Sequence, residues 1–352
     1  MKSYILKTWC IILFLVAPIV LLYNCDYNKT SGPEKPNSLD ITWQQTSLRS
    51  ASNGVYSDKS CNIVFADAID GLFNSFDNGK TWNMSLPKYT IFTMAFIENG
   101  DIFAFHNTSE SSVVLRSSDG GDIWNVLITP HLIYPHSLVF HQSGYIFLGD
   151  LGAPGINKGN IYRSDDNGVS WQDTSFPDSI GVYSIVSNNK GDVFAGTTRG
   201  VYRSTDYGDS WISINEGIKK VNGRPSYISE LIINPVNHYI FSVDSYYDEV
   251  YRSSDNGNDW KLKSPVLHTY SSILDILINS KGEIFIAVSN NNRGPETARG
   301  VFYSADNGDN WQQVNNGLTN TNVNTVAIDS FGFLYVATDE VGIFRTVESR
   351  YK

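Results

Sequence analysis

Ser204-Thr205-Asp206-Tyr207-Gly208-Asp209-Ser210-Trp211 reads S-x-D-x-G-x-x-W, and the chain carries that pattern six times. The other copies run Ser75 to Trp82, Ser117 to Trp124, Ser164 to Trp171, Ser253 to Trp260 and Ser304 to Trp311. Six of the chain's 8 tryptophans stand at the last position. A short apolar and aromatic run precedes each Ser, as in Gly200-Val201-Tyr202-Arg203, and reads as a strand. Asp and Gly two apart supply hairpin chemistry, because Gly adopts positive φ freely and Asp bonds its own turn backbone. Trp then opens the next strand and lays a large ring against the hairpin. The box residues Asp77, Asp119, Asp166, Asp206, Asp255 and Asp306, with Trp82, Trp124, Trp171, Trp211, Trp260 and Trp311, are therefore expected to be structural.

Successive box tryptophans are 42, 47, 40, 49 and 51 residues apart, the period of a propeller blade. One repeat lays out its strands as Val182 to Ser187, Asp192 to Gly196, Gly200 to Ser204 and Trp211 to Ile214. Val341-Gly342-Ile343-Phe344-Arg345-Thr346 repeats the third-strand pattern with no Trp strand after it. Ile41-Thr42-Trp43-Gln44-Gln45 matches Asn310-Trp311-Gln312-Gln313 with no hairpin before it. The two halves predict a seventh blade, shared between residues near 43 and near 344. The expected fold is all-β, a seven-bladed propeller of four-stranded antiparallel blades over residues 41–352. Closure of such a ring shields sheet edges that would otherwise pair with other chains.

The pattern resembles the Asp-box, or bacterial neuraminidase repeat. Within that group the chain resembles the photosystem II assembly factor family, sortilin-type receptors and short exported bacterial propellers more than true sialidases. The resemblance covers residues 41 to 346 and implies a fold, not a ligand. Sialidases announce their first substrate-binding Arg with a Phe-Arg-Ile-Pro-like motif ahead of the boxes. Here the lone Arg-Pro is Arg224-Pro225, in mid-chain. Xyloglucan-active glycosidases place a cleft between two tandem propellers, and the repeats here fill one. The reading is a non-catalytic surface binding or assembly module, with a glycoside hydrolase acting on extracellular glycans as the alternative.

The first 24 residues read as an export signal. Lys2 and Lys7 precede an apolar run from Trp9 to Leu22, too short for a spanning helix. Leu22-Tyr23-Asn24-Cys25 looks like a lipoprotein cleavage site, which would make Cys25 the lipidated residue, although Asn24 is atypical there. Simple secretion or an uncleaved anchor are the alternatives. Residues 25–40 are polar and carry Pro, Gly and Ser, as a tether does. A bacterial cell-envelope location follows, with membrane contact through the lipid alone.

The 352 residues carry a net charge of −10, which argues against a general nucleic-acid binder. Of the 3 cysteines, Cys61 alone falls in the folded body, so an internal disulfide or Cys-rich metal site is excluded. The boxes lack the terminal Glu and the ligand spacing of a calcium loop, and no metal or cofactor is expected. Loops joining first to second strands, and the boxes, share one face and are short and alike. The opposite face collects long, variable loops, where binding residues concentrate. Arg199, Arg224, Tyr227, Tyr246, Tyr247 and Arg299 lie on those loops and are the candidate contacts for a protein or glycan partner. A monomer is expected. The Arg repeated at 116, 163, 203, 252 and 345, just before the box Ser or Thr, reads as a blade-to-blade contact.

Overall fold

The computed structural model describes residues 41–57, 63–97, 100–107, 112–127, 134–152, 159–177, 179–265, 267, 271–289 and 299–350. The export signal, the tether, Cys25 and Cys61 lie outside the described residues. Among the described residues there is no helix long and apolar enough to cross a membrane.

Seven four-stranded antiparallel sheets form a propeller ring, and six of them use four consecutive strands. Blade 4 is typical: Val182–Ser187, Val193–Thr197, Gly200–Ser204 and Ile212–Ser213, from the axis outward. Its second strand, like Ile284–Ser289 of blade 6, is buried along its whole length and apolar on both faces. The reason lies in the packing. Each hydrophobic cluster joins two neighbouring blades, as Phe241, Val243 and Val250 of blade 5 join Ile276, Ile284 and Ile286 of blade 6. The core is thus a set of slabs between blades, and each fully buried Ile or Phe contributes about 1.5–3 kcal/mol.

Blade 7 closes the ring. Its inner three strands are Val323–Ile328, Leu334–Thr338 and Gly342–Thr346, and its outer strand is Trp43–Gln45. Trp43 faces Thr346, Gln44 faces Arg345 and Gln45 faces Phe344. Gln312 and Gln313 face Tyr303 and Phe302 in the same way in blade 6. Trp43 is buried, its backbone N–H donates to the Asn316 carbonyl (2.8 Å), and its indole N–H donates to the Val314 carbonyl (2.6 Å). Trp260 makes the matching pair of bonds to Glu216 and Ile214, both at 2.9 Å. The expected split blade is what the structure has.

Each box folds by the same hydrogen bonds. In box 4 the Ser204 hydroxyl donates to Asp206 Oδ1 (2.8 Å) and accepts the Gly208 N–H (2.8 Å). Asp206 Oδ1 also accepts the Ser210 N–H (2.8 Å), and Oδ2 accepts the Ser210 hydroxyl. The fourth and fifth residues both sit at positive φ, 58° at Tyr207 and 88° at Gly208. That accounts for Asn at the fourth position of four boxes, since Asn tolerates this region better than most residues. A donor side chain at the seventh position engages the second carboxylate oxygen in four boxes, through Thr81, Ser170, Ser210 and Asn310. The Ser170 hydroxyl and N–H, with the Ser164 hydroxyl, hold Asp166 down to about 2. Because every box carboxylate is engaged by turn donors, Asp206→Ala is expected to cost about 1 kcal/mol by thermal unfolding. It should not change calcium affinity in a titration. Trp211 is only half-buried, so its loss costs less than that of the buried Trp260.

The repeated Arg ties five of the six boxes to the blade before it; blade 1 has Asn74 at that place, ahead of box 2. Arg116 Nη1 donates to the Asn167 carbonyl (3.3 Å), Arg163 to Tyr207 (2.5 Å) and Arg203 to Asn256 (2.8 Å). Arg252 donates to Asn307 (2.7 Å), and Arg345 to Asn78 across the closure (2.6 Å). The acceptor is always the fourth residue of the next box. Several of these guanidinium groups also lie over a ring of their own blade, Arg345 at 4.8 Å from Phe333. Blade 6 carries Tyr303 instead and has no box beyond it. There Arg350 stacks on Tyr303 at 5.4 Å and pairs with Glu283 (2.8 Å).

Candidate functional site

The first strands of the blades surround the axis, and most carry one extra residue near the long-loop end. Bulges fall at Asn53, His136, Tyr183, Ser229, Leu274 and Asn324. In blade 2, Phe92 holds the same place just ahead of Thr93–Phe96. A bulge re-aims a side chain out of the strand's alternation. The residue before it is buried in every blade, as at Ile91, Val182 and Ile228. The bulged residue itself stays at least partly exposed, with Phe92 at 55% and Leu274 at 48%. Together these side chains form the mouth of the axial channel, and no two neighbouring blades from 1 to 6 repeat the same one. Phe92, His136 and Tyr183 make an arc of edge-to-face rings, 4.7 and 5.3 Å between centroids. His136 Nδ1 contacts the Tyr183 carbonyl (2.8 Å), and burial pulls its pKa below the usual range, so its ring is neutral at pH 7.

One residue deeper, a belt of hydrogen bonds runs from blade to blade. Ser137 accepts the Ile185 N–H (2.9 Å), and Ser184 accepts that of Leu231 (3.1 Å). Glu230 accepts from Ile276 (3.2 Å), Asp275 from Val326 (2.8 Å) and Thr325 from Val55 (2.8 Å). Blade 1 has Gly54 here because Tyr56 folds over it; a Cβ at 54 would stand 2.3 Å from the Tyr56 hydroxyl. That hydroxyl donates to the carbonyls of Ile91 (3.3 Å) and Phe92 (3.1 Å) instead.

Two belt positions are acidic. Glu230 and Asp275 meet within hydrogen-bonding reach of one another, deep in the protein yet partly open to the channel. Burial pushes Asp275 up to about 6, against the pull of the Val326 and Ile276 amides. Burial and then the charge of Asp275 push Glu230 well above the usual carboxylate range. Asp67, fully buried at the blade 1–2 joint, is raised to about 6 by burial, although the Ile91 N–H and the Asn53 amide pull the other way. Burial, then Asp67 and Asp275, raise Tyr56. Among the described residues no group of three His, Cys, Asp or Glu is placed to hold a metal ion.

The loop residues expected to bind divide into two groups. Tyr227 leads the inner strand of blade 5, and its carbonyl accepts the Ser245 N–H (3.1 Å), which sets it beside the Tyr246–Tyr247 turn. Those two rings pack edge to face at 4.9 Å, and Lys219 lies 5.0 Å over Tyr247. The turn is held by Asp244, which accepts from Ser226, Tyr246 and Tyr247 at 2.7–3.2 Å. Arg224 stands nearby in chain on a small hairpin, Lys220–Val221 with Arg224–Pro225, that the sequence reading did not foresee. Its signal was Asn222-Gly223, both at positive φ. Arg199 is exposed in the turn before Gly200, where its charge acts on Tyr202. Arg299 differs from the expectation. It is 9% exposed and donates to Thr321 (2.8 Å) and Asn322 (3.3 Å), which seats it inside the joint with blade 7. The mouth residues and the carboxyls Asp67, Glu230 and Asp275 were missed. The carboxyls' signal was an acidic residue inside an apolar strand, as in ISELII and SILDILI.

Fold and site define an antiparallel seven-bladed propeller with one invariant face and one variable face. The family model described as Sortilin-Vps10, "Sortilin, neurotensin receptor 3", matches residues 199–341. The extracellular domain of a hybrid two component system, BT4673 of B. thetaiotaomicron, is similar in fold. The TM-score is 0.67 and identity 13%, over 87% of this chain and 39% of that one. YCF48 bound to D1 peptide superposes with a TM-score of 0.63 and 16% identity, covering 90% of this chain and 98% of that one. The GH74 enzyme of Niastella koreensis gives 0.66 and 15%, over 87% and 53%. The chain thus spans about two fifths of the BT4673 domain and about half of the GH74 enzyme. At these identities the likeness is one of fold.

Proposed function

We propose that this chain is an exported, lipid-anchored and non-catalytic binding or assembly propeller that holds a protein or glycan partner on its long-loop face. The observation that carries the reading is the contrast between faces. Six boxes repeat one hydrogen-bond scheme, whereas the channel mouth presents Asn, Phe, His, Tyr, Ser and Leu side chains from successive blades. Selectivity needs such differences, and interface anchors are enriched in Tyr and Arg. In this reading Tyr227, Tyr246, Tyr247, Arg224 and Arg199 form a rim, and Arg299 supports it from beneath. The peptide-bound YCF48 structure and the extracellular BT4673 domain support the partner and the location.

A glycoside hydrolase is the second reading, favoured by the likeness to GH74 enzymes. Hydrolysis needs two carboxyls about 5–9 Å apart across the bond. Glu230 and Asp275 instead touch each other and accept backbone amides of the following blades, which is the geometry of a structural pair.

Capture of envelope proteins and a glycan array, both with residues 38–352, test the proposal. Alanine at Arg224 or Tyr246 should weaken the captured partner at least fivefold and leave the melting temperature unchanged. Arg203→Ala should lower the melting temperature and spare binding. A partner that protects the box hairpins from hydrogen exchange, and not the long loops, would overturn it.

A further inference from the structure

The geometry points to the axial channel mouth as a docking site for a basic protein segment, one that offers a lysine or arginine side chain or a free amine; this rests on the long-loop-face reading above. Charge complementarity inside the channel carries it, although the rim outside holds Arg199, Arg224 and Lys219. The seven innermost strands contain no Lys or Arg, and their single His, His136, is neutral. Their charged groups are Glu230 and Asp275, on the belt directly below the mouth, and both remain partly open to the channel. On their own strands the mouth residues are Ser229 and Leu274, while blades 2 and 4 contribute Phe92 and Tyr183, with Tyr227 at the edge, whose ring faces attract cations. An ammonium or guanidinium entering between those rings would meet both carboxyls.

The pair has capacity for it. Glu230 accepts the Ile276 amide, Asp275 accepts the Val326 and Ile276 amides, and the two carboxyls also hydrogen-bond one another. Burial first, and then the charge of Asp275 acting on Glu230, retains a proton there above the usual carboxylate range. An arriving cation would take over the role of that proton, and binding near pH 6 should release up to one. The ionisable group facing the pair from blade 1 is Tyr56, itself raised and neutral. Blade 4 offers Ser184, and blade 7 offers Thr325 and the Val326 amide.

Tetralysine is the probe, with tetraglutamate and chitotetraose beside it, titrated calorimetrically at pH 6 and low salt in two buffers of different ionisation heat. Tetralysine should bind and release protons. Glu230→Gln with Asp275→Asn should weaken it at least tenfold and abolish the release, since both amides keep an acceptor for Ile276 and Val326. Asp165→Asn with Asp259→Asn, an equal charge change on the exposed boxes, should weaken it less than twofold. If the double channel variant does not melt cooperatively, the two single variants carry the test. Hydrogen exchange on the unaltered protein should show protection at the bulged ends of Ile228–Ile233 and Ser272–Ile278. Equal weakening by both pairs would mean attraction to net charge alone and overturns the inference. Binding of tetraglutamate or chitotetraose at the mouth, with tetralysine excluded, overturns it while sparing the long-loop reading. Protection of the box hairpins by tetralysine overturns both.

Discussion

Trp43→Ala should destabilise the whole ring by roughly 3–5 kcal/mol, as much as Trp260→Ala in a complete blade. The two indoles are equally buried and make equivalent bonds to the preceding blade. Melting temperature should fall by about 6–10 °C for either, at about 2 °C per kcal/mol in a domain of this size. Removing residues 38–48 should do more. It takes away the partner strand of Gly342–Thr346 and the Leu48 carbonyl that accepts the Ile343 N–H (3.1 Å). The loss should be global, because each slab of core needs both of its blades. An unchanged melting temperature after that deletion would contradict the closure.

Acidification from pH 7 to pH 5 should stabilise the protein, by about 2–3 kcal/mol from Asp67 and Asp275, with Glu230 acting in the same direction. All three carboxyls sit above their unfolded values, Asp67 and Asp275 at about 6. A carboxyl raised in the fold binds its proton more tightly when folded. Its contribution is full below the unfolded pKa near 4 and is lost as pH rises through about 6. The box carboxylates behave oppositely. Asp77, Asp206, Asp255 and Asp306 are lowered and Asp166 lies at about 2, so their contribution is lost only as pH falls below about 4. The melting temperature should therefore peak near pH 4 to 5. Asp67→Asn with Asp275→Asn should flatten the rise between pH 7 and 5, and a rise of full size in that variant would assign it elsewhere.

The ring was legible because its determinants are local and repeated. Each box carries its turn, its Ser–Asp–Gly hydrogen bonds and its Trp within eight residues, and the half-repeats near 43 and 344 showed how it closes. The mouth was not legible, because a bulge is a shift of one residue against a partner strand. Nothing in Val182-Tyr183-Ser184 says that Tyr183 leaves the alternation; the pairing with Gly196 and Thr197 decides it. Arg299 misled for a related reason. Its partners, Thr321 and Asn322, come from the next blade's approach and are invisible in the loop's own composition.

The pairing of Trp43 with Thr346 also sets a clock. The strand made first must wait for a partner made roughly 300 residues later, about 15–60 s at ordinary rates of synthesis. During that interval six blades can pack in order, each on the one before, while the opening strand stays unpaired. The seventh blade cannot be completed until Gly342–Thr346 is made, so ring closure joins the two strands farthest apart in the chain. A chain stalled short of residue 342 has every box and still no ring.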